Sequence, residues 1–279
     1  MKGLKYILGS AALVLALASC GNNGEDKNIT VCASDVPHAE ILNGSVKSYV
    51  EAQGYKLNVT VLDWTTQNDA VANGDYDANY FQHVPYLETY TGTTELVATC
   101  KVHYEPLGIY KGKADASLDN VKSIEVCDDV SNAIRAFELL KAKGILSEIP
   151  VKDDALTFEG SSWTSTEGIT VTLIAENLLV SSRTDYDLAC LPCNTALTGN
   201  VSATERLLVE DDPAQVSLKA NVLAVRKADY LNNASYKAKI DVLTDALLST
   251  ETSTFVKNQY NGVITCDSSS QIDLRSLIK

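Results

Sequence analysis

Asn28-Ile29-Thr30-Val31-Cys32-Ala33, then an apolar stripe at Ala39, Leu42, Val46 and Tyr49, then Leu57, Val59 and Val61, carry the clearest structural signal in the chain. Ile29, Val31 and Ala33 recur at every second position, the spacing that puts side chains on one face of a strand. The stripe that follows steps by three and four, as one face of a helix does, and Gly54 supplies a stop signal. Leu57, Val59 and Val61 return to the period of two. Strand, helix and strand in that order make a βαβ unit.

The alternation continues along the chain. Asn68–Asn73 reads as a short helix closed by Gly74, Asp77–Phe81 as a strand, His83–Tyr90 as a short helix, and Leu96, Ala98 and Cys100 as a strand. Further on, Ile124 and Val126 mark a strand, and Ser131–Lys143 is a helix that Ser131 can cap and Gly144 can end. Leu188–Leu191 and Val222–Val225 are buried strands, and Tyr236, Ile240, Leu243 and Leu247 stripe a late helix. Val263–Thr265 is strand-like, whereas Lys111–Asn120 and Pro150–Ser165 are polar and loop-like. Such repetition predicts an α/β fold with largely parallel sheets.

The N-terminus sets a compartment. Lys2 and Lys5 precede an apolar run from Tyr6 to Ala18, interrupted by Gly9 and Ser10. The run falls short of the roughly 20 residues of a membrane-spanning helix and reads as an export signal. It ends in Leu17-Ala18-Ser19-Cys20, which resembles the bacterial lipobox. That resemblance implies a signal peptide over residues 1–19, cleavage before Cys20, and a lipid (palmitate among its acyl chains) on a tether over residues 20–27. The protein is then expected on the cell membrane, facing the extracytoplasmic side. A net charge of −13 argues against nucleic acid as a partner.

Seven cysteines leave six once Cys20 is acylated: Cys32, Cys100, Cys127, Cys190, Cys193 and Cys266. An even number outside the cell permits disulfides. Four of them lie in strand-like apolar runs, where a free thiol behaves as a small hydrophobe; core thiols are the favoured reading, and a Cys190–Cys193 bridge stays open.

Three segments carry a family likeness: Val36-Pro37-His38-Ala39-Glu40-Ile41-Leu42, Asp77-Ala78-Asn79-Tyr80-Phe81-Gln82-His83 with Val84-Pro85-Tyr86-Leu87, and His103-Tyr104-Glu105-Pro106-Leu107-Gly108. Together they resemble the NlpA lipoprotein family, the methionine-binding lipoproteins of ABC importers. The likeness runs from about Ile29 to Ile264. It implies a periplasmic-binding-protein fold: two α/β lobes joined by two crossing segments, with a ligand cleft between them. On that template one lobe comprises residues 28–109 plus 225–279 and the other residues 110–224. The implied partners are methionine or a closely related small amino acid or peptide, the importer's permease and its ATPase. No cofactor and no metal are implied.

A free amino acid presents a carboxylate, an ammonium group and a side chain, and a buried carboxylate needs a counter-charge. Arg135, three positions after Asn132 on the helix that opens near Ser131, is the candidate, since arginine grips carboxylates with two donors. The family resemblance assigns both Asn132 and Arg135 to ligand. Asn194, just after the Leu188–Leu191 strand, is the candidate for the ammonium. The family carries an Asn-Gly-Asn stretch there, and this chain has Pro192-Cys193-Asn194. An apolar, aromatic slot suits a thioether, and Trp64, Tyr80 and Phe81 are its candidates, with His83 and His103 lining the sulfur end by resemblance. Asn68 and Glu105 are secondary candidates. Related proteins commonly have tyrosine where this chain has Trp64. A different class of function is an extracellular, lipid-anchored thiol-redox or metal enzyme using Cys190 and Cys193.

Overall fold

A parallel neighbour cannot be reached by a tight turn, so each early strand must be followed by a crossover. In the computed structural model, which describes residues 26–260 and 263–279, the first strands obey this rule. The export signal, Cys20 and most of the tether lie outside the described residues. The strands are β1 (Asn28–Ala33), β2 (Lys56–Val61), β3 (Ala78–His83), β4 (Leu96–His103), β5 (Gly108–Lys111), β6 (Ser123–Cys127), β7 (Val151–Lys152), β8 (Ala155–Leu156), β9 (Ser162–Thr164), β10 (Thr170–Ile174), β11 (Leu188–Leu191), β12 (Arg206–Val209), β13 (Asn221–Arg226) and β14 (Ile272–Asp273). The helices are α1 (Lys47–Ala52), α2 (Trp64–Ala72), α3 (Val84–Glu88), α4 (Val130–Ala142), α5 (Leu179–Ser182), α6 (Cys193–Thr198), α7 (Pro213–Leu218), α8 (Lys227–Asn232), α9 (Ala234–Leu247) and α10 (Thr250–Tyr260).

Two sheets result. The first runs β14-β4-β13-β3-β1-β2 and the second β12-β5-β11-β6-β10-β9. Each has its own apolar core. Ile29, Val31, Leu57, Val225, Ile240 and Leu243 pack in one, and Ile124, Val126, Phe137, Leu140, Val171 and Leu188 in the other. The chain crosses from the first sheet to the second between His103 and Gly108, and returns between Val209 and Asn221. The architecture is thus two α/β lobes with two crossings, the periplasmic-binding-protein arrangement. Relative to the expected boundaries, Gly108 and Ile109 pair in the second sheet and Asn221–Ala224 in the first.

The sheets are mixed rather than largely parallel. β1 pairs in parallel with β2 and β3, and β6 with β10 and β11, but β13 runs antiparallel to β3 and β4, and β5 antiparallel to β11 and β12. β13 and β5 are the strands on which the chain arrives from the other lobe, so no local helix dictates their direction, and β9 and β14 add further antiparallel pairs, to β10 and β4. Asp129, not Ser131, caps α4: its carboxylate accepts the Asn132 amide at 2.9 Å, and Ser131 Oγ donates to the same oxygen. α2 begins at Trp64 rather than near Asn68, because Asp63 caps it. Thr265 makes only an isolated bridge to Tyr104, so no strand spans Val263–Thr265. Pro150–Ser165, expected as loop, holds the β7–β8 hairpin and β9. Gly54 and Gly74 stand at φ +79° and +87°, where a side chain would be strained, and each ends a helix as read.

All six described cysteines are free and buried. Cys190 packs in the second lobe's core and Cys193 in the first lobe's.

Candidate functional site

Side chains that follow the C-terminal ends of parallel strands face the crevice between lobes, where open α/β sheets bind ligands. A cleft of about 420 Å³ lies there, within the roughly 300–1,000 Å³ usual for small-molecule sites. From the first lobe it is lined by Ser34 and Asp35 after β1, Asp63 and Trp64 after β2, Phe81, Gln82 and His83 of β3, and Tyr86 of α3. From the second come Asn132 and Arg135 of α4, Glu176 and Asn177 after β10, and Pro192, Asn194 and Thr195 after β11. Glu105 of the first crossing and Asn221 also line it, with Val36, Leu62, Val180, Thr198 and Gly199.

Of the predicted residues, Trp64, Phe81, His83, Glu105, Asn132, Arg135 and Asn194 line the cleft, whereas Asn68, Tyr80 and His103 sit one layer behind. Asn68 and Gln82 exchange amide hydrogen bonds at 3.0 and 2.7 Å, so Asn68 fixes a lining neighbour. The Tyr80 hydroxyl and His103 Nδ1 form a short hydrogen bond, and His103 Nε2 donates to Glu105 Oε1 at 2.6 Å. These two residues therefore form a chain that ends on the lining carboxylate.

The aromatic part is a local construction. Pro85 near the start of α3 lets the chain turn directly out of β3 into that helix. Tyr86 is thereby brought 5.0 Å from the Trp64 ring and 5.7 Å from Phe81, centroid to centroid. Trp64 also packs against the second-lobe cluster that includes Leu179 and Leu191, so it touches both halves. His83 Nδ1 accepts the Tyr86 amide at 3.1 Å, leaving Nε2 to donate to Asn132 Oδ1 of the other lobe at 2.9 Å. Burial, and after it the Arg135 charge, lowers the His83 pKa, which keeps that ring neutral.

The charged part is assembled from afar. Glu105 is buried, and burial alone would raise its pKa; His38, the His103 hydrogen bond and Arg135 outweigh that and hold it below the usual carboxylate range. Its Oε2 accepts the Asn194 backbone N–H at 3.1 Å. His38, fully buried, is pushed down to about 4 by burial, and its Nε2 donates to Asn221 Oδ1 at 3.0 Å. His38, His103 and Glu105 bring ligand-type atoms within 4.8 Å of one another. His103 Nε2 is already bonded to Glu105 and His38 Nε2 to Asn221, 3.3 Å from Glu105 Oε1, so the group reads as a brace for Glu105.

Arg135 is not free to grip a ligand with a fork from two of its nitrogens. Its Nε donates to Glu210 at 2.9 and 3.1 Å, and its Nη2 bonds Glu210 as well and donates to the Glu105 carbonyl at 2.6 Å. Nη1 takes no part in these bonds. Sequence reading missed Glu210 and Lys219, and also Tyr86, although Tyr86 stands inside a quoted motif. Glu210 is followed by Asp211 and Asp212, and such a run looks like solvated surface.

The Cys190 and Cys193 thiols are pushed up by burial and then by nearby carboxylates. A protonated thiol is a poor nucleophile, and the two pack into different cores, which removes the basis of a paired redox site.

Residues 29–265 match the family model of the NlpA lipoprotein. The chain is 30% identical to the methionine-binding lipoprotein MetQ of Bacillus subtilis, over 93% of this chain and 97% of that one. The crystal structure of lipoprotein Tp32 from Treponema pallidum superposes with a TM-score of 0.74 at 27% identity, covering 87% of this chain and 100% of that one. A nutrient-binding protein from Burkholderia cenocepacia, solved bound to methionine, gives 0.74 at 25% identity, covering 86% and 99%. The Bacillus subtilis and Burkholderia cenocepacia relatives are named as binding proteins, in agreement with the expectation of a binding protein rather than an enzyme. By the extent of the match and the fold it shares with them, this chain belongs to the NlpA lipoprotein family.

Proposed function

We propose that the cleft binds methionine, or a closely related small amino acid or short peptide, and that the chain delivers it to the permease of an ABC importer while anchored to the outer face of the membrane through Cys20. The observation that carries this reading is the meeting, in one interlobe cleft, of an aromatic group (Trp64, Phe81, Tyr86) with opposite charges on Arg135 and Glu105. A zwitterion with a soft apolar tail needs those three environments. Glu105, backed by Asn194, is the partner for the ammonium; Arg135 Nη1, beside Asn132, is the partner for the carboxylate; the rings take the thioether. The methionine named for the Bacillus subtilis relative and bound in the Burkholderia cenocepacia structure supports the choice of cargo. Among the described residues no helix is long and apolar enough to cross a membrane.

Saturating methionine should stabilise the protein by RT ln(1 + [L]/Kd), about 2.7 kcal/mol at a hundredfold excess over Kd. Thermal melting against a panel of free amino acids, D-methionine and methionine dipeptides reads this directly. Intact-mass measurement of the membrane-extracted protein reads both a retained ligand and the acyl chains on Cys20. A melting temperature indifferent to every amino acid and peptide tried sinks the proposal.

A further inference from the structure

Arginine in a binding cleft is usually counted as one positive charge with a two-pronged grip. Here both prongs of one edge are spent on Glu210, and a buried ion pair by itself presents no net charge to a ligand. The surroundings of Glu210 resolve this. Its carboxylate also takes the Tyr104 hydroxyl at 2.5 Å and the Leu107 amide at 3.3 Å, both from the first crossing. From the second crossing Lys219 Nζ donates to Oε1 at 3.0 Å. Arg135, Glu210 and Lys219 have side chains only 5%, 7% and 12% exposed, so their mutual fields are weakly screened. Two cations on one carboxylate leave the cluster net positive. Glu138 lies 3.6 Å from Lys219, but its side chain is 50% exposed and offsets little of that charge.

We propose that Glu210 and Lys219 are positioning residues for ligand recognition: Glu210 fixes the Nε–Nη2 edge of Arg135 so that Nη1 is the arm offered to the ligand's carboxylate, and Lys219 restores the positive charge that Glu210 cancels. Because Glu210 is bonded to both crossings, the carboxylate is read at the place where the lobes are joined. The inference rests on the amino-acid-binding reading above and adds to it the residues that set carboxylate recognition.

The test is a ratio. Calorimetric titration of the full chain with methionine and with methioninamide, which lacks the negative charge, gives the preference for a carboxylate. The wild-type chain should favour methionine. In Glu210→Gln charge alone predicts a higher preference, because two cations lose their carboxylate, whereas the positioning role predicts that the released Nε–Nη2 edge lowers it at least about tenfold, the weight of one charge-assisted hydrogen bond, and a rise overturns that role. In Lys219→Met, which leaves the Arg135–Glu210 pair standing and so keeps the test readable should Glu210→Gln not fold, it should fall by less but in the same direction. A preference unchanged in Lys219→Met, or both affinities falling equally in either variant, reduces these residues to scaffolding and overturns the inference alone. A wild-type chain that binds no amino acid overturns the reading of the cleft and this inference with it.

Discussion

Trp64, Phe81, His83 and Tyr86 all lie between positions 64 and 86, in one strand and the two helices that flank it. Arg135, by contrast, meets Glu210 across 75 positions, and Glu210 meets Tyr104 across 106. The aromatic side of the cleft is therefore assembled as its local segment folds, by contacts that tolerate small shifts in angle. The charged side exists only when both lobes and both crossings are in place, and its contacts are directional and buried. A side built on ring packing should lose affinity gradually when trimmed. A side built on buried charge should fail sharply, because removal of one partner leaves the other uncompensated.

Arg135→Ala is the largest break. Truncating one partner of a buried, hydrogen-bonded charge pair costs about 2–5 kcal/mol in binding, so methionine affinity should fall at least about thirtyfold. The same change strands Glu210, and stability should drop by about 3–5 kcal/mol, less whatever Lys219 makes up. The pH dependence of stability carries the same signature. Burial raises the Glu210 pKa, but Arg135 and Lys219 overcome it and bring the group down to about 2 from an ordinary 4.5. A depressed carboxylate contributes stability that is present above the unfolded value and lost as pH falls through the folded one. Wild-type stability should therefore decline between about pH 4.5 and 2, and that slope should flatten in Arg135→Ala. Denaturant titration at neutral pH and down an acid series measures both; an undiminished slope in the variant would show that Arg135 does not set the Glu210 charge.

The same contrast explains what could be read from sequence. The βαβ start, the stripe of α9, the glycines that end helices and the stretch from Asp77 to Leu87 are local patterns, and local periodicity reports them directly. Strand direction is not local: a period of two is the same for β13 running antiparallel as for β1 running parallel, so the mixed sheets were invisible. Asp129 and Ser131 are both good capping residues two positions apart, and only backbone geometry chooses between them. Glu210 reads as one acid among three, and nothing before Lys219, Arg135 or Tyr104 in three dimensions distinguishes it from surface. Tyr80 and His103 were legible as part of the site but not as its second layer, because alternation tells which face a residue takes and not how far it lies from the void.

Phe81→Leu is the matching test on the aromatic side and should cost less. The substitution keeps an apolar side chain against Tyr86 and removes one ring edge, a contact to sulfur of about 0.3–1.5 kcal/mol. Methionine binding should weaken a few-fold, while the preference for methionine over methioninamide stays at its wild-type value. If that preference moved with the ring, the two sides of the cleft would not be separable and the contrast drawn above would fail. Calorimetry with the two ligands decides it.

The smallest effect belongs to the contact where the two sides meet. His83 Nδ1 is held as an acceptor by the Tyr86 amide, so its proton sits on Nε2 and points across the cleft to Asn132 Oδ1. Asn132 is aimed in return by Asp129, which accepts from its Nδ2 at 3.0 Å and so turns the carbonyl oxygen toward His83. Both partners are oriented by their own lobes, and the bond forms only when the lobes stand as they do here. Asn132→Ala removes its part-exposed bond to Asp129 within the second lobe and one neutral hydrogen bond between the lobes, the latter worth about 0.5–1.5 kcal/mol and present only when the lobes meet as they do here. Such a change lowers the population of the binding-competent form and weakens every ligand by the same factor. Methionine and methioninamide should both bind several-fold less tightly, with the melting temperature of the ligand-free protein nearly unmoved. A loss confined to methionine would instead place Asn132 on the ligand's carboxylate, through the Nδ2 hydrogen that Asp129 does not use, and would move this residue from the bridge between the two sides to the charged side itself.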